Sequence, residues 1–206
     1  MRKIHLSLIL LIGAIIWGII LIISGIAVSL DWLRPLTIVS GILLLLIGIF
    51  DRWLWRLSIF RGWLVKRPYI NGTWQVELIS NWADPNTGQQ IPPIKGYMSI
   101  WQTHSLLNMR LFTTESQSTL IGSEIVSDKD DTFRIAAVYE NEPKQMVRGK
   151  SPIHHGGLLL QCTGLSPTTI NGSYWTDRGT RGDIEMRNRH NKIYVDFNEA
   201  SSAYTK

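Results

Sequence analysis

The segment Gly172-Ser173-Tyr174-Trp175-Thr176-Asp177-Arg178-Gly179-Thr180-Arg181-Gly182 gathers two aromatic rings, three aliphatic hydroxyls, one carboxylate and two guanidiniums at what reads as a hairpin tip. A second rich stretch, Tyr139-Glu140-Asn141-Glu142-Pro143, is followed at a distance by Ser151-Pro152-Ile153-His154-His155-Gly156-Gly157. It joins a strand end to a long polar loop. Rings that stack, arginines that pair with phosphate, and Asn, Thr or Asp that meet base edges would together suit a nucleotide. Each stretch also has a plainer reading. Asp-Arg-Gly-Thr is good turn chemistry, Tyr and Trp are ordinary strand residues, and Arg beside Asp is a common surface pair. Residue by residue, the plainer reading carries more weight.

No catalytic constellation stands beside these segments. The chain has no P-loop, GxSxG, HExxH or GxGxxG pattern. His154 and His155 are neighbours, and on a strand neighbours point to opposite faces, so no metal is expected there. Cys162 is the single cysteine. It excludes an intramolecular disulfide and a cysteine-rich zinc site, and its apolar surroundings mark it as a core residue. An enzyme is the class least expected, for want of a nucleophile, base or metal set.

The elements that must position these residues follow from periodicity. After Pro68 the pattern alternates with period 2. Trp74, Val76 and Leu78 alternate with Thr73, Gln75 and Glu77, and Tyr97, Ser99 and Trp101 alternate with Met98, Ile100 and Gln102. Further runs at 106–113, 118–126, 132–140, 157–163, 168–176 and 182–189 are separated by clusters such as Asp128-Lys129-Asp130-Asp131 and Leu165-Ser166-Pro167. A last run, Ile193–Phe197, could close the set. About eight short strands at hairpin spacing indicate an antiparallel barrel or sandwich. A closed barrel leaves no sheet edge, and eight strands are wide enough to hold a small ligand.

The N-terminal third differs in kind. Residues 1–67 carry 8 basic and 2 acidic side chains, a net +6, while 68–206 carry 13 and 14, a net −1. A broad nucleic-acid-binding surface is therefore not the theme of the larger part. Leu6 to Leu30 holds no charge, and 25 residues of helix reach about 37 Å, more than the roughly 30 Å of a bilayer core. Pro35 to Phe50 gives a shorter second run, extended by Trp32 and Leu33. The expectation is a transmembrane hairpin within 1–50, with spans at about 6–30 and 33–50. The two runs in succession argue against a cleaved signal peptide. Basic residues flank both outer ends, which would place both termini in the cytoplasm. Small residues recur on one face of each helix: Ala14, Gly18, Gly25 and Ser29, then Thr37, Gly41 and Gly48. Such faces serve either packing within the hairpin or self-association between copies. Arg34, at the start of the second span, can snorkel to the headgroups, and no Asp, Glu, Lys or Arg lies within 6–30 or 35–50, so no proton relay or ion pathway is written there. Residues 51–67 form a basic and aromatic juxtamembrane collar. Its stripe Trp53, Leu57, Phe60 and Leu64 predicts a helical extension lying on the membrane surface. The domain 68–206 follows it.

This order of parts is specific. After the two helices and the collar come Arg67-Pro68-Tyr69-Ile70-Asn71-Gly72-Thr73-Trp74, Gly96-Tyr97-Met98-Ser99-Ile100-Trp101-Gln102, Tyr139–Pro143, His155-Gly156 and Gly172–Arg178. The chain resembles, over essentially its whole length, the two-helix, β-strand-rich membrane effectors of bacterial CBASS antiphage defence, partners of cGAS-like nucleotidyltransferases. The resemblance implies a mixed membrane and all-β fold, in which a two-helix transmembrane hairpin precedes a small antiparallel eight-stranded β-barrel. It implies that the barrel receives a cyclic dinucleotide made during infection, with no other cofactor and no nucleic-acid partner. Homo-oligomerisation in the inner membrane, membrane disruption and abortive infection would follow. On that resemblance, rings among Trp74, Trp101, Tyr139 and Trp175 stack the bases. Arg110, Arg178 or Arg181 meets the phosphates, and Thr73, Asn141, His155, Thr176 and Asp177 bond base edges or ribose. Alternation alone does not decide which of these face the lumen, because a one-residue slip reverses them all. Two rivals remain at this stage. One is a membrane-anchored, lipocalin-like carrier or sensor of an apolar molecule, which predicts an apolar lumen without a phosphate-matching arginine. The other is a structural adaptor whose barrel is filled.

Overall fold

The computed structural model describes residues 6–23, 25, 33–128 and 130–205. The chain divides into two units, Met1–Ile49 and Phe50–Lys206.

In the first unit, α1 spans Leu6–Ile23 and α2 runs from Leu33 to Arg52, its last turn entering the second unit. Of the expected first span, 6–30, α1 covers Leu6–Ile23, and Gly25 takes a φ of +67, in the left-handed region. The 18 residues of α1 reach about 27 Å. Among the described residues no helix is long and apolar enough to cross a membrane. The remainder of that expected span, Ser29 included, lies outside the described residues.

In the second unit eight strands, each hydrogen-bonded to the next, close into an antiparallel barrel: β1 Gly72–Ser80, β2 Ile94–Gln102, β3 Leu107–Thr113, β4 Ser116–Ser127, β5 Thr132–Pro143, β6 His154–Thr163, β7 Ile170–Thr176 and β8 Arg181–His190. The eight expected runs are these strands, and the barrel stands over the sandwich. Closure comes from β1 pairing with β8 as well as with β2, so no strand edge is left bare. One parity of each strand is buried inside. Trp74 and Val76, Phe133 and Ile135, Leu160 and Cys162, and Ile184 and Met186 form the core, with Ile70 beneath them.

That core fills only one end. There Pro68–Asn71 crosses the barrel base, tied by the Gln102 side chain, whose Nε2 donates to the Pro68 carbonyl (2.8 Å) and whose Oε1 accepts from the Ile70 amide (2.9 Å). Trp74 Nε1 donates to the Ile70 carbonyl at 2.8 Å, and the Tyr69 amide donates to the Leu165 carbonyl at 2.9 Å. The collar packs on this closed end, but not as the helical extension that the sequence predicts. After α2 come a 3₁₀ turn at Leu54–Arg56 and tight turns joined by an Arg61–Val65 bridge. Trp55 and Val65 are the buried side chains, while Trp53, Leu57 and Leu64 are about half exposed. The stripe is overridden because Gly62, at φ +93, turns the chain, and because Trp55 finds the Tyr69 and His104 rings. The run Ile193–Phe197 is not a ninth strand. Asp196 caps α3, Phe197–Tyr204, by accepting from the Glu199 amide at 2.8 Å. α3 covers the outside of β2 through Tyr97, Tyr194 and Ala200.

Candidate ligand-binding site

At the opposite end the barrel stays open. The loops between β1 and β2, β3 and β4, β5 and β6, and β7 and β8 surround a cavity of about 820 Å³. That volume falls within the range of small-molecule sites. Its floor is apolar, with Met98, Met109, Leu111, Leu120, Leu158 and Ile184. Above the floor comes a polar belt that includes Ser118, Asn141, His154 and Thr176. The rim carries Lys95, Lys150 and Arg178 against the one carboxylate Glu115, a net +2 (three cations less one anion).

Each part is set by strand register. On β5 the parity that buries Phe133, Ile135 and Ala137 also turns Tyr139 and Asn141 inward. On β6 Leu158, Leu160 and Cys162 share their face with His154. On β7 Ile170 is in phase with Tyr174 and Thr176. The Tyr139 ring is packed against Gly156, its cross-strand partner, and a Cβ at Gly156 would run into that ring. Burial first, then the nearby Tyr174 and Asp177, pushes the Tyr139 phenol up to about 12, so it is a neutral hydroxyl at ordinary pH. Thr176 shares a hydroxyl contact of 2.7 Å with Thr180, which closes the turn that carries Arg178. The Arg178 guanidinium donates to Ser151 Oγ at 2.9 Å, across the mouth on the β5–β6 loop. That loop is anchored in turn by Arg148, which donates to Glu142 at 2.6 Å and to the Pro143 carbonyl at 3.0 Å.

Of the twelve residues expected to meet a ligand, the structure brings Tyr139, Asn141, Thr176 and Arg178 together on the cavity. The other eight lie elsewhere. Trp74 is fully buried in the closed end. Thr73 is buried on the outer side, where its hydroxyl meets Ser99 (3.0 Å) and accepts from the Tyr194 amide (3.0 Å). Trp101 and Trp175 are 60% and 51% exposed, on the parity that faces away from the lumen. Arg110 and Arg181 are exposed. His155 sits on the outer rim between Glu140 (3.2 Å) and Asp177 (3.7 Å), and Asp177 accepts from the His155 amide at 3.0 Å. That cluster fastens the β7–β8 turn to β6, so His155 and Asp177 position Arg178 rather than line the cavity.

Cavity residues outside the expected twelve include Lys95, Ser118 and Lys150, together with Ser151, His154 and Tyr174 from the two rich stretches. Parity held the signal for His154, since it is in phase with Leu158 and Leu160 while His155 is not. Lys150 and Ser151 come from a loop and carry no such mark. Of the small-residue faces, Ala14 and Gly18 lie in α1, Gly25 just beyond it, and Thr37, Gly41 and Gly48 in α2. Cys162 is buried, as expected, and burial pushes its thiol up to about 11.

A half-filled barrel with a cationic, hydroxyl-lined cup is the form of a receptor for a small anionic molecule. The family comparison agrees: the family described as Cap15, cyclic dinucleotide receptor domain, matches residues 65–188, and the chain belongs to that family. Comparison with curated proteins gives no match. Among solved structures the chain is similar to a redesigned β barrel, at 18% identity over 58% of this chain and 91% of that one. The TM-score is 0.36, and that likeness adds nothing to the fold described above.

Proposed function

We propose that this protein is a membrane effector of antiphage defence, in which a cyclic dinucleotide enters the open cup and makes the N-terminal helices of neighbouring copies cluster. The observation that carries the ligand half is the net +2 rim over an 820 Å³ cavity in a chain of the cyclic dinucleotide receptor family. The ligand goes in base first. Rings of bases rest on the apolar floor, Tyr139, Asn141 and Thr176 meet their edges and sugars, and the phosphates stay near Lys95, Lys150 and Arg178. A purely apolar guest would leave three cations without a role, and a fully plugged barrel would have no cavity. Calorimetric titration of the full chain with a panel of cyclic dinucleotides tests this. Binding of one at a single site is expected, and failure of every member of the panel would end the reading.

The membrane half rests on the sequence and on the surface of α2. Val39 and the residues from Ile42 to Ile47 are all 43–62% exposed. A helix that is apolar around its exposed sides needs lipid or other helices for company. Residues 6–30 and 33–50 form the inner-membrane hairpin in this proposal, with both termini and the barrel in the cytoplasm. The small-residue faces meet between copies. Only a ligand that binds the clustered form more tightly can drive clustering. The nucleotide comes from a cGAS-like nucleotidyltransferase, and clustering disrupts the membrane and kills the infected cell. In cells, dye entry should follow induction of the ligand and be absent without it. Equal permeabilisation without any ligand would remove the gating step.

A further inference from the structure

We propose that Ser118, Asn141 and His154 form a reader of one Watson–Crick base edge, and that it selects a base whose exocyclic amine on that edge stands beside an unprotonated ring nitrogen, adenine or cytosine. The inference rests on the reading of the cup as a cyclic dinucleotide site. Ser118 pairs with Asn141 across β4 and β5, and Asn141 pairs with His154 across β5 and β6. The three therefore form one row on the lumen wall, and all three line the cavity. Asn141 is 7% exposed and His154 8%, deep burial for such groups.

Their hydrogen bonds fix what each offers. His154 Nδ1 lies 3.0 Å from the Pro152 carbonyl. A carbonyl only accepts, so Nδ1 carries a proton; in that Nδ1–H tautomer Nε2 is an acceptor, with no protein partner among the described residues. Asn141 Oδ1 accepts from Ser118 Oγ at 2.8 Å, which leaves the Nδ2 hydrogens as free donors. An acceptor thus stands beside a donor, one strand apart. Adenine offers the complement in its 6-amine and N1, and cytosine in its 4-amine and N3. A keto base turns a carbonyl lone pair toward Nε2 and leaves buried polar groups unpaired, which is costly.

The test compares cyclic di-AMP with the same molecule carrying hypoxanthine in place of both adenines, by calorimetry on the full chain in detergent. The wild type should bind the adenine ligand at least about tenfold more tightly. His154→Phe should bring the ratio close to one. His154→Gln, which keeps an acceptor near the Nε2 position, should retain most of it. Asn141→Asp, which replaces the donor by an acceptor, should shift the ratio toward hypoxanthine and tests the row independently of any folding defect at His154. Equal affinities in the wild type, or an unchanged ratio in a folded His154→Phe, would overturn the inference while leaving the receptor reading intact. Failure of every cyclic dinucleotide to bind would overturn both.

Discussion

The Tyr139 ring occupies the space that a side chain at Gly156 would need, and the two residues are direct partners across β5 and β6. Gly156 shares the inward parity of Leu158 and Leu160, so its missing Cβ is what lets the ring lie against the wall of the cup. The Trp175 carbonyl closes the same space from the other side. Gly156→Ala should therefore overpack the wall, at a cost of about 1–3 kcal/mol, and push Tyr139 into the cavity. Denaturant unfolding should show a lower midpoint, and ligand affinity should fall more than stability alone explains. A variant as stable as the wild type would mean that the ring has room to move.

Arg178 and Arg181 belong to one hairpin but lie on different surfaces: Arg178 lines the cup, while Arg181 is exposed away from it. Arg178→Ala should weaken cyclic dinucleotide binding by about 1.5–3 kcal/mol, roughly 10- to 150-fold, as expected for lost bonds between a guanidinium and a phosphate. The salt dependence of binding should flatten as well, since fewer charges remain to be screened. Arg181→Ala should change neither quantity. Equal losses in both variants would mean that general charge, not the cup, attracts the ligand.

The same contrast measures how much was readable beforehand. All eight strands could be placed because alternation and turn clusters are local signals, but their number and spacing left a barrel and a sandwich open, since closure depends on the non-local pairing of β1 with β8. The collar misled because Trp53, Leu57, Phe60 and Leu64 have helical spacing, yet contacts of Trp55 with Tyr69 and His104 outweigh it. Four of the twelve expected residues line the cavity. Adjacent residues on a strand cannot share a face, so of Thr73 and Trp74, or of Trp175 and Thr176, only one can point into the lumen. The parity of Phe133, Ile135 and Ala137 was visible in the sequence and selects Tyr139 and Asn141. Lys95 and Lys150 were not readable, because loop and strand-end cations show their direction only once the barrel is closed.

Two tryptophans of similar sequence character should behave in opposite ways. Trp74 is fully buried and its Nε1 donates to the Ile70 carbonyl at the base of the barrel. Trp74→Ala should cost about 3–5 kcal/mol, enough to unfold a marginal domain. Trp101 is 60% exposed, and Trp101→Ala should leave both the melting temperature and ligand affinity within error of the wild type. Loss of binding in a folded Trp101→Ala would put a ligand surface on the outside of the barrel and argue against the cup.

The barrel should weaken in alkali through two identifiable phenols. Burial pushes Tyr139 up to about 12, and it does the same to Tyr204, whose hydroxyl donates to the Thr73 carbonyl at 2.6 Å where α3 docks on β1. Both groups ionise near 10 when the chain is unfolded. With the folded value above the unfolded one, the native state holds protons that the unfolded chain has released. Their contribution is therefore complete below pH 10 and is lost as the pH rises from 10 to about 12. Unfolding midpoints measured across that window should fall with pH. Tyr139→Phe and Tyr204→Phe should each make the fall shallower, since phenylalanine has no proton to lose. Absorbance titration of the native protein should show the same two phenols ionising last. If both phenylalanine variants lose stability between pH 10 and 12 as steeply as the wild type, other groups govern alkaline unfolding, and Tyr139 is not the desolvated phenol that the wall of the cup requires.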